Sequence, residues 1–244
     1  MQNNLLTICY DGTGYHGSQI QENAVTIQSE FQSALLRVLG YLPDIKCCSR
    51  TDSGVHARMF CISFMTENQE NPQKLVMGMN TYLPDDIRVL KAEMVPNDFH
   101  ARYSSKGKKY EYYVWNDRIM NPFMNNRAFL YPKHLDENAL NDAAKLYLGC
   151  HDFSSYCSIK STVEDKERTI REASVRREGK LVVFTFAADG FLYNMVRILV
   201  GSLLQYSNGK ISEEDIKEYL SGKARDNRLI TVPACGLYLT EVYY

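Results

Sequence analysis

The cysteines include no Cys-x-x-Cys pair, and that absence excludes the usual zinc-ribbon and thioredoxin-like patterns. There are seven of them, an odd number: Cys9, Cys47, Cys48, Cys61, Cys150, Cys157 and Cys235. Most sit in apolar surroundings and read as buried reduced thiols, not as a disulfide framework. The one cluster with a histidine (Cys150, His151, Cys157) matches none of the usual ligand spacings, so no metal is expected. The N-terminal stretch MQNNLLTICYDG lacks both a basic start and a long apolar run, so neither a secretory leader nor a membrane span is expected, and the chain reads as cytoplasmic. Tandem repeats and low-complexity tracts are also absent, which excludes repeat architectures. There is no excess of either charge: 28 Lys and Arg against 29 Asp and Glu give a net charge of -1, which by itself points to no particular partner.

What is present is enough apolar material for substantial cores. With 244 residues, 45% of them hydrophobic, the chain can build one large domain or two ordinary ones. Strand patterns occur at Leu5 to Tyr10, Met59 to Met65, Ile87 to Val95, Lys109 to Trp115, Ile170 to Arg176, Leu181 to Phe186 and Leu237 to Tyr243. Helical spacing covers Thr26 to Leu39, Gln73 to Tyr82, Leu135 to Leu148, Phe191 to Tyr206 and Ser212 to Leu220, with Thr26 and Ser212 as capping residues. The stretch REASVRREGKLVVFTF reads as a hairpin turning at Gly179, so the sheet is at least partly antiparallel and the class is α+β. The polar, basic RYSSKGKK separates two halves, predicting domains at 1–104 and 105–244.

CYDGTGYHGSQ contains a literal GxGxxG at Gly12, Gly14 and Gly17 directly after a strand pattern. A dinucleotide loop needs a helix N-terminus at the third glycine and an acid closing a second strand further on. Here the helical pattern waits until Thr26, and the acid's expected place falls inside that helix, so no nucleotide cofactor is expected.

Three features carry chemistry. From His100 to Arg118 five cations interleave with Tyr103, Tyr110, Tyr112, Tyr113 and Trp115 against two anions, a pattern suited to phosphate contact and base stacking, or equally to a solvated strand with a core-facing aromatic side. CSRTDSGVHARMF packs Arg50, Asp52, His56 and Arg58 into nine positions ahead of an alternating strand. Asp52 there either presents a carboxylate at a strand end or simply caps its turn. In the nearly all-apolar FLYNMVRILVGSLL, Arg197 stands mid-helix, with Tyr193, Asn194 and Gly201 on its face and open space expected beside Gly201. A guanidinium there either meets a carboxylate from elsewhere or snorkels along a helix edge.

The blocks YDGTGYHGSQIQ, TIQSEFQSAL, SRTDSGVHA, LPDDIRV, FHARYSSKGKKYEYYV, HDFSSY, FLYNMVRILVGSLL and PACGLYL, in this order, resemble the TruA family of tRNA pseudouridine synthases. The resemblance implies two RNA-binding-like (ferredoxin-like βαββαβ) domains whose mostly antiparallel sheets join around a central cleft. It implies isomerisation of uridine to pseudouridine in the anticodon stem-loop of tRNA, at positions 38, 39 and 40, by a homodimer. Asp52 matches the catalytic aspartate, Tyr110 the tyrosine that stacks on the target base, and Arg197 the arginine that pairs with the aspartate. Arg50 resembles an RNA-contacting arginine, His56 and Arg58 belong to the same substrate-binding block, and Leu237 matches an apolar pocket residue. The reaction requires no redox cofactor, nucleotide or metal by stoichiometry. Ser18 stands where family members commonly carry tryptophan, and Ser49 to Ser53 differ from the usual Gly-Arg-Thr-Asp-Ala. The other reading is a non-catalytic RNA-binding protein on the same scaffold.

Overall fold

The computed structural model describes residues 1–222 and 226–244. The chain divides into two compact units, residues 1–106 with 238–244, and residues 107–237. The sequence reading puts 105–244 in one domain; by contact, residues 238–244 group with residues 1–106.

The first unit contains β1 (Gln2–Tyr10), α1 (Ile27–Leu39), β2 (Ile45–Cys47), β3 (His56–Thr66), α2 (Pro72–Tyr82) and β4 (Ile87–Val95). β1 runs antiparallel to both β3 and β4, and β2 pairs with the far end of β3 through Ile45 and Phe64. The order β4-β1-β3-β2 with helices after β1 and β3 is the split βαβ plan. α1 forms because Thr26 and Ser29 cap each other reciprocally, Ile27, Phe31, Ala34 and Leu35 recur on one buried face, and Gly40 at φ 80° stops the helix. β1 is buried at every position except Cys9, as expected of a strand between two others. The closing strand β10 (Leu237–Tyr243) runs parallel to the start of β3, with Tyr238 opposite His56 and Leu239 opposite Ala57.

The second unit contains β5 (Gly107–Trp115), β6 (Phe129–Leu130), α3 (Glu137–Ala144), β7 (Gly149–Asp152), β8 (Glu167–Glu178), β9 (Leu181–Ala188), α4 (Met195–Ser207) and α5 (Glu213–Tyr219). Its strands follow the order β5-β9-β8-β7, antiparallel throughout, with the short β6 parallel to β5. The expected hairpin is present: Glu178 pairs with Leu181 and Gly179 takes φ 62°. α4 is buried without a break from Ile198 to Gln205. Ile198, Leu199, Val200 and Leu203 are each 0% exposed, and full burial of such a side chain contributes about 1.5–3 kcal/mol.

The class is therefore α+β with mostly antiparallel strands. Two helices are shorter than their apolar spacing predicts. α3 stops at Ala144 and tightens into a 3-10 turn at Lys145–Tyr147. α4 starts at Met195, not at Phe191, because Asn194 before it sits in the left-handed region at φ 62°. Among the described residues no helix is long and apolar enough to cross a membrane.

Candidate functional site

Asp52 is half-buried in a turn immediately before β3. The turn closes through main chain: Val55 N–H donates to Asp52 O at 3.2 Å, and Gly54 takes φ 77°. The loop between β1 and α1 holds it from outside. Ser18 N–H donates to Thr51 O at 3.0 Å, and Thr51 N–H returns a bond to Ser18 Oγ at 2.8 Å. Tyr15 O accepts from both residues after the aspartate, from Ser53 Oγ at 3.1 Å and from Gly54 N–H at 3.4 Å. Tyr15 is itself anchored by its phenol, which donates to Asp86 Oδ1 at 2.5 Å. Burial, then the Asp86 carboxylate, pushes that phenol well above its ordinary range, so it stays protonated and donating at every working pH. Tyr10 OH and Thr51 Oγ1 lie 2.9 Å apart, tying β1 to the same turn.

This contact gives the glycine triplet its physical reason. A Cβ on Gly12 would stand 2.0 Å from Val55 O, and one on Gly17, already at φ 91°, would stand 2.6 Å from Thr51 O. Gly14 has nothing within 4 Å. Two of the three glycines thus let one backbone lie against another, on either side of Asp52. Gly12→Ala is expected to push Val55 outward, to lower stability by about 1–3 kcal/mol and to reduce turnover. Urea unfolding and steady-state kinetics check this, and an unchanged midpoint with full activity would contradict the packing role.

Arg50 and Arg58 are exposed. The Arg58 guanidinium lies over the Tyr238 ring, 5.8 Å from its centroid. His56 is 1% exposed and its ring stacks on Tyr238 at 4.6 Å and 19°. Its Nδ1 accepts from Gly12 N–H at 3.1 Å. The first unit thus brings Arg50, Asp52, His56 and Arg58 onto one turn and the strand it feeds.

In the second unit Tyr110 is buried on β5 opposite Phe186, with Phe191 meeting its ring edge-on at 5.1 Å and 83°. The aromatics around it mostly serve the core: Tyr112 is 0% and Tyr113 6% exposed. Tyr112 OH donates to Pro233 O at 2.7 Å, and burial holds the phenol far above its usual range. Tyr113 OH donates to Glu111 Oε2 at 2.8 Å, and Glu111 also accepts from Arg176 at 3.0 Å. Trp115 is half-buried, and Tyr103, in the first unit, is 78% exposed. Leu237 is buried at the start of β10.

Arg197 is half-buried on α4 and its fork is oriented from two sides. Nε donates to Val232 O at 2.8 Å and Nη1 to Asn194 Oδ1 at 2.8 Å. The open space expected beside Gly201 is filled by main chain, since a Cβ there would stand 2.1 Å from Ile230 O. Gly201 therefore lets the 230–232 segment lie along the helix and bring Val232 O to the guanidinium. Asn194, expected on the helix, is instead its left-handed N-cap and lends its side chain to Arg197. Val232, Tyr15 and Asp86 stand outside the candidate site residues read from the sequence, because their roles rest on long-range approach.

A family model described as tRNA pseudouridine synthase matches residues 7–104 and 143–244. The chain belongs to the tRNA pseudouridine synthase family. It is 41% identical over 244 residues to the tRNA pseudouridine synthase A of Acetivibrio thermocellus, covering 100% of both chains. The same figures hold against the protein of that name from Clostridium acetobutylicum. Against that of Geobacillus kaustophilus the identity is 42% over 238 residues, 97% of this chain and 92% of the relative. Arg50, Asp52, His56, Arg58, Arg197 and Leu237 fall within the segments matched by the synthase family model, while Tyr110 lies between them, in a stretch that the full-length synthase relatives span.

Proposed function

We propose that this tRNA pseudouridine synthase acts on uridines 38, 39 and 40 of the anticodon arm, with Asp52 as its catalytic carboxylate. The family are isomerases that convert uridine to pseudouridine in tRNA. The conversion breaks the N1–C1′ bond, turns the uracil, and forms C5–C1′; N1 gains a proton and C5 loses one, so atoms and electrons balance without a co-reactant. The observation that carries the assignment is the Asp52 turn, a carboxylate-bearing turn clamped by main-chain and side-chain bonds from a separate loop. A rigid acid suits attack at C1′ of the ribose, attack at C6 of the base, or removal of a sugar proton.

Arg197 is the proposed partner that keeps Asp52 ionised and aimed, Tyr110 the ring that stacks on the extruded uracil, and Leu237 an apolar wall of its pocket. Arg50 and Arg58 are the proposed RNA-facing cations, with phosphate contacts also from the basic 102–109 stretch, whereas His56, expected in the same substrate-binding block, is buried at 1% exposed and is proposed to act from beneath that surface. Extruding a stacked uridine costs a few kcal/mol, on the order of what phosphate contact and restacking return. The working unit is proposed to be a cytoplasmic homodimer, which light scattering of the purified protein tests.

The expected result with unmodified tRNA is a set of carbodiimide-dependent primer-extension stops confined to the anticodon arm. Tight binding without stops would favour the non-catalytic RNA-binding reading, and stops elsewhere would overturn the assigned positions.

A further inference from the structure

We propose that His56 is a positioning residue for the reaction, acting through Nδ1 as the acceptor that ties the glycine loop to the strand leaving the Asp52 turn. This rests on Asp52 being the catalytic carboxylate. The imidazole cannot meet solvent or a base directly: it is 1% exposed and lies flat against Tyr238, centroids 4.6 Å apart. What it does is accept from Gly12 N–H at 3.1 Å. That bond exists because Gly12 has no Cβ, which would stand 2.0 Å from Val55 O. Glycine and histidine are therefore two halves of one clip.

An N–H aimed at Nδ1 calls for a lone pair there, and on this proposal the ring is neutral with its proton on Nε2. Asp11 Oδ1 stands 3.1 Å from the same nitrogen and already accepts from Thr13 N–H at 3.0 Å and Thr13 Oγ1 at 2.5 Å. A proton on Nδ1 would turn the ring from acceptor for Gly12 into donor to Asp11, so the clip and the charged ring exclude one another. The charged and titratable groups about it include Asp11 from the loop after β1, Tyr238 from β10, and Arg58 on its own strand, whose guanidinium lies over that tyrosine. Asp52 is four residues upstream, coupled through the Val55-to-Asp52 bond. Losing the clip releases the 55–56 backbone, and a shift there moves the carboxylate.

The two amide substitutions separate an acceptor from a filler. In His56→Asn the amide oxygen falls where Nδ1 was; in His56→Gln the longer chain puts it near the place of Nε2 while filling more of the ring's volume. His56→Asn is expected to lose no more than about tenfold in kcat, the worth of one altered hydrogen bond. His56→Gln is expected to lose about a hundredfold, the scale of a small misplacement of a catalytic group, with KM for tRNA unchanged in both. Glutamine equal to or better than asparagine overturns the proposal. Nitrogen NMR of wild-type protein labelled at its five histidines asks the question without any variant. A neutral His56 ring protonated on Nε2 at pH 7 is expected, and a ring protonated on Nδ1 overturns the proposal. If Asp52→Ala keeps turnover, the functional reading falls while the tautomer result stands, so the two failures are distinguishable.

Discussion

Asp52→Ala is expected to abolish pseudouridine formation, by roughly 10⁴-fold or more, the scale on which catalytic carboxylates act, while the protein folds and binds tRNA. The structure supplies the reason for the folding half of this expectation. The turn is held by bonds that the substitution does not touch: Val55 N–H to the Asp52 carbonyl, Thr51 to Ser18, and Ser53 and Gly54 to the Tyr15 carbonyl. Alanine keeps the carbonyl and loses only the acid. Affinity for tRNA comes chiefly from neutralised phosphates, so deleting one anion leaves it within about tenfold. Release of tritium from C5-labelled uridine in tRNA measures the chemistry, and filter binding measures the affinity. Retained turnover refutes the catalytic role; loss of folding would mean that the turn depends on the carboxylate after all.

Arg197→Lys should be the second most damaging change, lowering the single-turnover rate by about a hundredfold, equivalent to roughly 2.7 kcal/mol of barrier. Charge is conserved in this substitution; geometry is not. The guanidinium donates through Nε to Val232 O and through Nη1 to Asn194 Oδ1, each at 2.8 Å, and these two bonds fix the plane of the fork. A lysine ammonium is a point charge that cannot reproduce both bonds in that plane, so it holds an opposed carboxylate less well aimed. Rapid-quench measurement with enzyme in excess checks this, and undiminished rates would contradict the pairing proposed with Asp52. A matching loss in the Asp52→Asn, Arg197→Lys double variant, no greater than in Asp52→Asn alone, is the non-additivity that paired residues show.

How much of this was legible beforehand differs by element. β4 and β10 have the limits that alternation predicts, and α1 starts at the cap that Thr26 announces. Short strands such as β2, β6 and β7 were not legible, since two to four residues carry no measurable period and exist only because a longer strand lies beside them. The late start of α4 was hidden for a related reason: apolar spacing continues through Phe191 and Leu192, and only the left-handed Asn194 breaks it. For the site, polar clustering singled out the Asp52 block and the mid-helix arginine. The aromatic run around Tyr110 looked alike for a core face and a stacking surface, and burial assigned most of it to the core.

By itself the sequence determined the longer strands and helices, the α+β class and the family, because side-chain period, capping chemistry and ordered motifs are properties of neighbours along the chain. Its spacing also argued against a dinucleotide loop at the glycine triplet. Only the tertiary structure decided why two of those glycines are required, what orients Arg197, and that the His56 imidazole is sealed beneath Tyr238. Each depends on backbones distant in the chain coming within a hydrogen bond of one another, an approach that no local pattern encodes.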